Sequence, residues 1–218
     1  MGPGSPANRG FTIVELVLVL VVLGILSLGA VRFLTDASNG FASTVTRSQL
    51  ARDLRQSLED LGRGLREALP GSVRIDATGR CLELVPVVQG GTYLQLPVGT
   101  PAAQMRVVPI GTPVAGAPRV AVSPLDTVYT LGSTSVVSPP VTPGAVDAAN
   151  ELPLLFATAH AFPRESAAQR YYLVADPQSY CFVEGALWRY AGYGWQSAQP
   201  AVAALPSALP NRELVVPA

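Results

Sequence analysis

Gly10-Phe11-Thr12-Ile13-Val14-Glu15-Leu16, continued by an apolar run to Val31, is the stretch on which the reading of this chain turns. A helix rises about 1.5 Å per residue, so roughly 20 apolar residues span the ~30 Å hydrocarbon core of a bilayer. Phe11 to Val31 meets that length. Its Val and Ile are mediocre helix formers in water. In hydrocarbon, however, every backbone polar group must pair internally, and helix is the state that does so. Gly24 and Gly29 are the weak points of the run. Glu15 is its anomaly, because an acidic side chain deep in a membrane helix costs about 2.5–3.5 kcal/mol on insertion scales. Two readings follow: Glu15 lies near the end of the span and reaches the interface, or it pairs with a cation from a neighbouring copy. A secretory signal peptide is the rival for the whole stretch, with Ser27-Leu28-Gly29 as its small-residue site. The apolar run is longer than the usual ~7–15 residues, and the internal Glu does not suit it.

Upstream, Met1 to Gly10 is polar, holds one Arg, and reads as a leader. Downstream, Leu50, Leu54, Leu58, Leu61, Leu65 and Leu69 recur at spacings of four, four, three, four and four, which puts them on one helix face. We expect this amphipathic half, residues 32–69, to pack that face on a sheet; a short coiled coil is the alternative. Arg63 and Glu67 have the spacing of a weak pair. Asn39-Gly40 is a candidate bend between the halves, and Pro70-Gly71 a stop.

From residue 70 to 218 the pattern is that of strands and turns. Ser72–Ile75 and Cys81–Val88 flank a hairpin turn, Asp76-Ala77-Thr78-Gly79. Thr92–Leu96, Arg106–Ile110, Arg119–Val122 and Thr127–Leu131 are further candidates. Gly111–Pro118 and Ser133–Gly144 read as Pro- and Gly-rich loops. Ala145–Leu155 is ambiguous, with Asp147 placed to cap a short helix. Arg170–Ala175, Tyr180–Glu184 and Ala186–Tyr190 read as a meander with turns at Asp176–Ser179 and Glu184-Gly185. The tail after Gln199 reads as loose unless Glu213–Val216 adds an edge strand. The expected fold class is therefore α+β: a long N-terminal helix, membrane-spanning in its first half, packed on an antiparallel sheet domain.

The 218 residues carry formal net charge zero, and all 15 basic residues are Arg. The absence of Lys removes a P-loop lysine and a Schiff base from consideration. The arginines alternate with acids, so no nucleic-acid footprint is expected. Hydrophobic residues make up 49 %, enough for a core, and the 20 Pro and 20 Gly suit a loop-rich domain. The two cysteines, Cys81 and Cys181, can oxidise if the domain faces the periplasm, closing a loop of about 100 residues. Two unpaired buried thiols are the alternative. His160 stands alone, without a catalytic motif, and reads as a surface or packed residue. No nucleophile elbow, Cys-x-x-Cys or metal-ligand spacing occurs, so no cofactor, metal or enzymatic activity is expected. Trp188, Tyr190, Tyr193 and Trp195 read as hairpin packing, with stacking on a sugar or a partner subunit as the alternative.

The opening stretch resembles the type IV pilin-like proteins and their class III signal: a short polar leader ending in Gly, then Phe, then an apolar run with Glu as the fifth mature residue. By that resemblance a prepilin peptidase cuts between Gly10 and Phe11, Phe11 is N-methylated, and Glu15 pairs with the Phe11 amine of an adjacent subunit. The resemblance implies segments 1–10 (leader), 11–31 (transmembrane and assembly helix), 32–69 (its amphipathic continuation) and 70–218 (a periplasmic β-rich domain). It implies as partners other pilin or pseudopilin subunits, the peptidase, an inner-membrane assembly platform and the membrane of a Gram-negative cell. Beyond the signal, Val31-Arg32-Phe33-Leu34, Leu69–Arg74 leading to Gly79–Glu83, Leu94–Gly99 and Tyr180–Tyr190 resemble a minor pilin of the mannose-sensitive haemagglutinin (MSHA) pilus. A minor pseudopilin of type II secretion is the nearest alternative, and a singly anchored periplasmic binding domain the alternative of another class.

Overall fold

The computed structural model describes residues 12–109, 111, 118–125 and 127–216. The leader and the Gly10–Phe11 pair lie outside the described residues, as does most of the loop expected over Gly111–Pro118. The chain forms two compact units, Met1–Leu54 and Arg55–Ala218. One helix, α1 (Ile13–Arg66), runs through the first and supplies the opening turns of the second.

In the first unit, Ile13–Thr35 is long and apolar enough to cross a membrane. Its side chains are exposed throughout. Hydroxyls within it are satisfied locally, Ser27 Oγ donating to Leu23 O at 2.7 Å and Thr35 Oγ1 to Val31 O at 2.9 Å. The helix continues through Gly24, Gly29 and the Asn39-Gly40 pair, where a bend was expected. A helix-interior Gly costs only about 1 kcal/mol, and with hydrogen bonds forming on both sides nothing there removes a donor as a proline would.

In the second unit, α1 ends at Arg66 and not at Leu69. Leu69 has left the helix: its N–H donates to Val85 O at 2.8 Å and its side chain is fully buried. Pro70 disfavours helix at the residue before it, and Gly71 follows with φ +76°. A Cβ on Gly71 would stand 2.8 Å from Pro124 O, so both the angle and the space require glycine.

Eleven strands follow among the described residues: β1 (Arg74–Ile75), β2 (Cys81–Leu84), β3 (Val87–Gln95), β4 (Ala102–Val107), β5 (Arg119–Ala121), β6 (Val137–Pro143), β7 (Leu152–His160), β8 (Arg170–Val174), β9 (Gln178–Val183), β10 (Ala186–Tyr190) and β11 (Arg212–Val216). Five form an antiparallel sheet in the order β1-β2-β9-β10-β11, and the other six close a barrel, β3-β4-β7-β6-β5-β8. The α+β class is as expected; the barrel is not. Its interior is filled by Tyr93, Met105, Val107, Val120, Leu154, Phe156, Phe162 and Tyr171, among others. Gly91 lets the Tyr171 ring lie across the strand, since a Cβ there would fall 2.7 Å from the ring. A second core around Leu69, Val85, Val128, Tyr129 and Val174 lies between α1's end and the barrel, and a third surrounds Cys81 and Cys181.

Several expectations are corrected. The meander is split: β9 and β10 form the expected hairpin, with Glu184 and Gly185 both at positive φ, but β8 belongs to the barrel and β9 pairs with β2. Ser133–Gly144 holds strand β6 despite its prolines: Pro139 and Pro140 sit where β5 and β6 pair irregularly, and Pro143 ends the strand opposite Leu154. Residues 127–131 form a turn in place of a strand, with Thr127 at φ 52°. Asp147 caps no helix: its Oδ1 accepts the N–H groups of Ala149 and Glu151, a side-chain-stabilised turn ahead of β7. The tail is not loose, with Leu205 buried; the edge strand expected at Glu213–Val216 is present as β11, paired to β10. Arg63 pairs with Asp60 at 3.9 Å and not with Glu67.

Candidate functional site

Thr12 starts α1. Its Oγ1 accepts the Glu15 N–H at 3.3 Å, and its carbonyl accepts the Leu16 N–H at 3.1 Å. This is the Ser/Thr-x-x-Glu spacing of a helix start, a signal legible in the sequence that the reading of Glu15 as an anomaly passed over. A carboxylate in the first turn faces the positive end of the helix dipole, which offsets part of its cost in an apolar setting. Glu15 is exposed, and among the described residues no cation pairs with it. Its expected partner, a Phe11 amine, lies outside the described residues. The arrangement is thus a helix start with one anionic group in the first turn of a 23-residue span long and apolar enough to cross a membrane, capable of receiving a cation and of packing laterally against other apolar helices.

The cysteines are joined. Cys81 and Cys181 face each other across paired strands β2 and β9, form a disulfide and are buried. Asp76 organises the turn before Cys81, its Oδ1 accepting the N–H groups of Arg80 (2.9 Å) and Cys81 (2.8 Å). Bonds from Thr78 and from the Cys81 backbone hold its carboxyl below the usual carboxylate range.

One buried charged group escaped the sequence reading. Glu83, on β2, is fully buried and carries a salt bridge to Arg74 Nε at 2.6 Å and a hydrogen bond from Tyr193 Oη at 3.0 Å. Strand alternation gave the hint, since Glu83 lies on the same face as Cys81. Arg74 also donates to the carbonyls of Ser197 and Gln196 and stacks 3.6 Å over the Tyr129 ring. Burial pushes the Tyr193 and Tyr129 hydroxyls well above their ordinary range. The network is closed on itself and anchors the C-terminal segment. The aromatic run serves the same end: Tyr190 is buried, Trp188 lies under Arg212, and Trp195 packs on Tyr129 while donating to Asp176. That is the packing reading of those side chains. His160 is likewise interior, its Nε2 3.1 Å from Ser135 O, with Phe156 and Phe162 edge-on. Among the described residues no group of His, Cys, Asp and Glu is placed to hold a metal ion.

The leucine stripe is not covered as expected. Within the second unit the helix meets the sheet through Ser57 and Gly64, while Leu58 and Leu65 are exposed. Leu61, four residues after Ser57 and three before Gly64, shares their face and is half-buried, so the stripe is covered in part.

Compared with known proteins, residues 5–31 match the family described as the prokaryotic N-terminal methylation motif. That match encloses Gly10, Phe11 and Glu15 and ends at Val31. Neither the curated proteins nor the solved structures give a match. A methylation motif leading into a membrane-length helix supports a type IV pilin or pseudopilin, a structural family whose members assemble with one another and are processed by a prepilin peptidase.

Proposed function

We propose that the chain is a minor pilin of an MSHA-type type IV pilus in a Gram-negative cell. The observation that carries the reading is the methylation motif placed directly on an apolar helix with one carboxylate in its first turn. In this reading the peptidase cuts between Gly10 and Phe11, and Phe11 is methylated. Residues 11–31 hold the subunit in the inner membrane while residues 70–218 lie in the periplasm, until an assembly platform moves the helix into a shared apolar core. Because lipid tails are as apolar as these side chains, close packing of one helix surface against others, and not hydrophobic transfer from water, favours the helix in that core. The Glu15 carboxylate, without an ion-pair partner among the described residues, meets the Phe11 amine of a neighbour as the charges leave the interface together. The finer placement in the MSHA system rests on the local resemblances at Val31–Leu34, Leu69–Arg74 leading to Gly79–Glu83, Leu94–Gly99 and Tyr180–Tyr190.

Intact mass and N-terminal sequencing of the native protein, with and without the peptidase, test the reading. A chain beginning at methylated Phe11, left uncut in the peptidase mutant, is the expected result. Glu15→Val is expected to be cut normally but to be lost from filaments. A chain beginning near Ala30, or uncut in both strains, sinks the proposal. Deletion that leaves surface pili in place but retains exoproteins inside the cell assigns the chain to type II secretion instead.

A further inference from the structure

β11 is the last strand of its sheet, with β10 on one side and, among the described residues, no strand on the other. Ala191 N–H donates to Asn211 O at 2.9 Å, and the register from there sets Glu213 opposite Arg189 and Leu214 opposite Trp188. In an antiparallel ladder alternate residues bond the neighbour. Asn211 and Glu213 therefore spend their backbone groups on β10, while Arg212 and Leu214 turn theirs to the open edge. There the Arg212 N–H donates to Ala208 O at 3.1 Å, and the Val215 carbonyl accepts from Ser57 Oγ at 3.2 Å. The N–H and C=O of Leu214 meet no partner among the described residues. Native sheets guard such edges with charged side chains. Here both charges of the strand are folded back: the Arg212 guanidinium lies 3.8 Å over the Trp188 ring, and Glu213 pairs with Arg189. Leu214 is 46 % exposed. Beside the edge, Gln56, Asp60, Tyr180, Arg189 and Glu213 line an open cleft of about 390 Å3 within the second unit.

We propose that this edge takes an extended segment of another protein as an added strand, with an Arg or Lys side chain set in the cleft and an apolar residue on either side of it. Main-chain bonds to Leu214 hold such a strand, and its alternate side chains select it. Tyr180, Arg189 and Glu213 are paired in turn across β9, β10 and β11, so they share the face on which Tyr180 meets Gly64 of the helix. The added residue opposite Glu213 points to that face and into the cleft. There two carboxylates, Asp60 and Glu213, stand with a single guanidinium, Arg189. Arg63 lies 3.9 Å from Asp60 with both side chains more than half exposed, an ion pair too loose to cancel it. A cation balances this set, and an anion adds to its excess. The residues before and after the cation point to the opposite face, beside Leu214 and the Arg212–Trp188 stack, where apolar side chains pack. Pairing of β11 with β11 of a second copy would instead lay two such clefts side by side, like charge near like. The site uses no part of residues 1–54 and does not depend on the filament reading.

The test is fluorescence anisotropy of labelled peptides with the purified full-length chain in detergent micelles. The probe is the peptide Thr-Thr-Val-Arg-Val-Thr-Thr. One control carries Glu in place of its Arg, and a second carries N-methyl groups along its backbone. The Arg probe is expected to bind about tenfold more tightly than the Glu control, with attraction in one and repulsion in the other, and the methylated peptide is expected not to bind. Asp60→Arg, at an exposed helix position, is expected to abolish the preference for Arg over Glu. Leu214→Pro deletes the outward N–H without removing a bond to β10, and is expected to lose the Arg probe. Where that variant does not fold, the methylated peptide carries the same test. Equal binding of the Arg and Glu peptides, undiminished binding of the methylated one, or no binding of the Arg probe at about 1 mM overturns the inference. So does an unchanged preference in Asp60→Arg, or a dimer by light scattering that Leu214→Pro dissolves, which would give the edge to a second copy.

Discussion

His160 shows how one side chain couples the barrel to pH. Its Nε2 faces the Ser135 carbonyl at 3.1 Å, so that nitrogen carries the hydrogen, and Nδ1 is left buried without a partner. A second proton would put a charge in a buried site flanked by the Phe156 and Phe162 rings, and burial, outweighing the Ser135 and Gly132 backbone, holds the imidazole below its ordinary 6.5. Below about pH 6.5 the unfolded chain then binds more protons than the folded one, so stability falls as pH drops through that value toward the folded one. Asp76 and Asp147 act in a separate window. Thr78 and the Cys81 backbone depress the first carboxyl, and the Glu151 backbone and Arg106 the second, so their contribution is present above about pH 4 and lost below it. His160→Gln, which keeps a donor toward Ser135, is expected to flatten the fall in urea midpoint between about pH 7.5 and 5.5. Equal slopes in wild type and variant would show that His160 does not titrate in the transition. The residue was legible only as a lone histidine; that it is interior follows from strand β7, which Ala145–Leu155 gave no periodic signal for.

At the scale of elements, the segment Ala191–Asn211 between β10 and β11 is the informative case. Past Gln199 its composition reads as loose, because Ala, Pro and Ser show no period and so no face to bury. In the fold it is strapped down by single contacts that no periodicity encodes. Arg74 holds Gln196 and Ser197 by their carbonyls, Tyr193 bonds Glu83, Gln199 donates to Cys81 O at 3.2 Å, and Leu205 covers the disulfide. Arg74 is the common node. Its replacement by Ala removes those two carbonyl bonds and leaves Glu83 fully buried with Tyr193 alone. Breaking a buried pair costs about 3–5 kcal/mol, and the partial exposure of Arg74 places the variant at the lower end. Arg74→Ala is therefore expected to unfold at lower urea and to be cut by protease first within residues 191–211. An unchanged digestion pattern would mean that the strap is held by Leu205 and β11 without the arginine. The turns, by contrast, were readable, since Asp76–Gly79 and Glu184-Gly185 carry their own side-chain and positive-φ chemistry.

For the molecule as a whole, the helix and the sheet edges could be read from period and turn residues, while the closure of six strands into a barrel could not. Barrel pairing joins β3 to β8 and β4 to β7 across long stretches of chain, and the prolines of β6 hide a strand in what composition calls a loop. Long-range pairing of this kind has a large loop-closure cost in the unfolded chain. The disulfide bears directly on that cost. It links β2, which precedes the entire barrel, to β9, which follows it, with a sequence separation of 100. Every barrel strand therefore lies inside the covalent loop, and the unfolded ensemble is restricted for the barrel and the sheet alike. In the chain-entropy picture a loop of this size contributes up to about 4.7 kcal/mol, commonly about 2–4 in practice. Because both sulfurs are buried, reductant is expected to act through global opening and not on the folded domain. The Cys81→Ala/Cys181→Ala variant should show a lower urea midpoint by that energy, with reductant shifting the wild type to the same midpoint and leaving the variant unmoved. Reduction without any loss of stability would place the ordering of the barrel in its own core. The bridge would then be a consequence of the fold and not one of its supports.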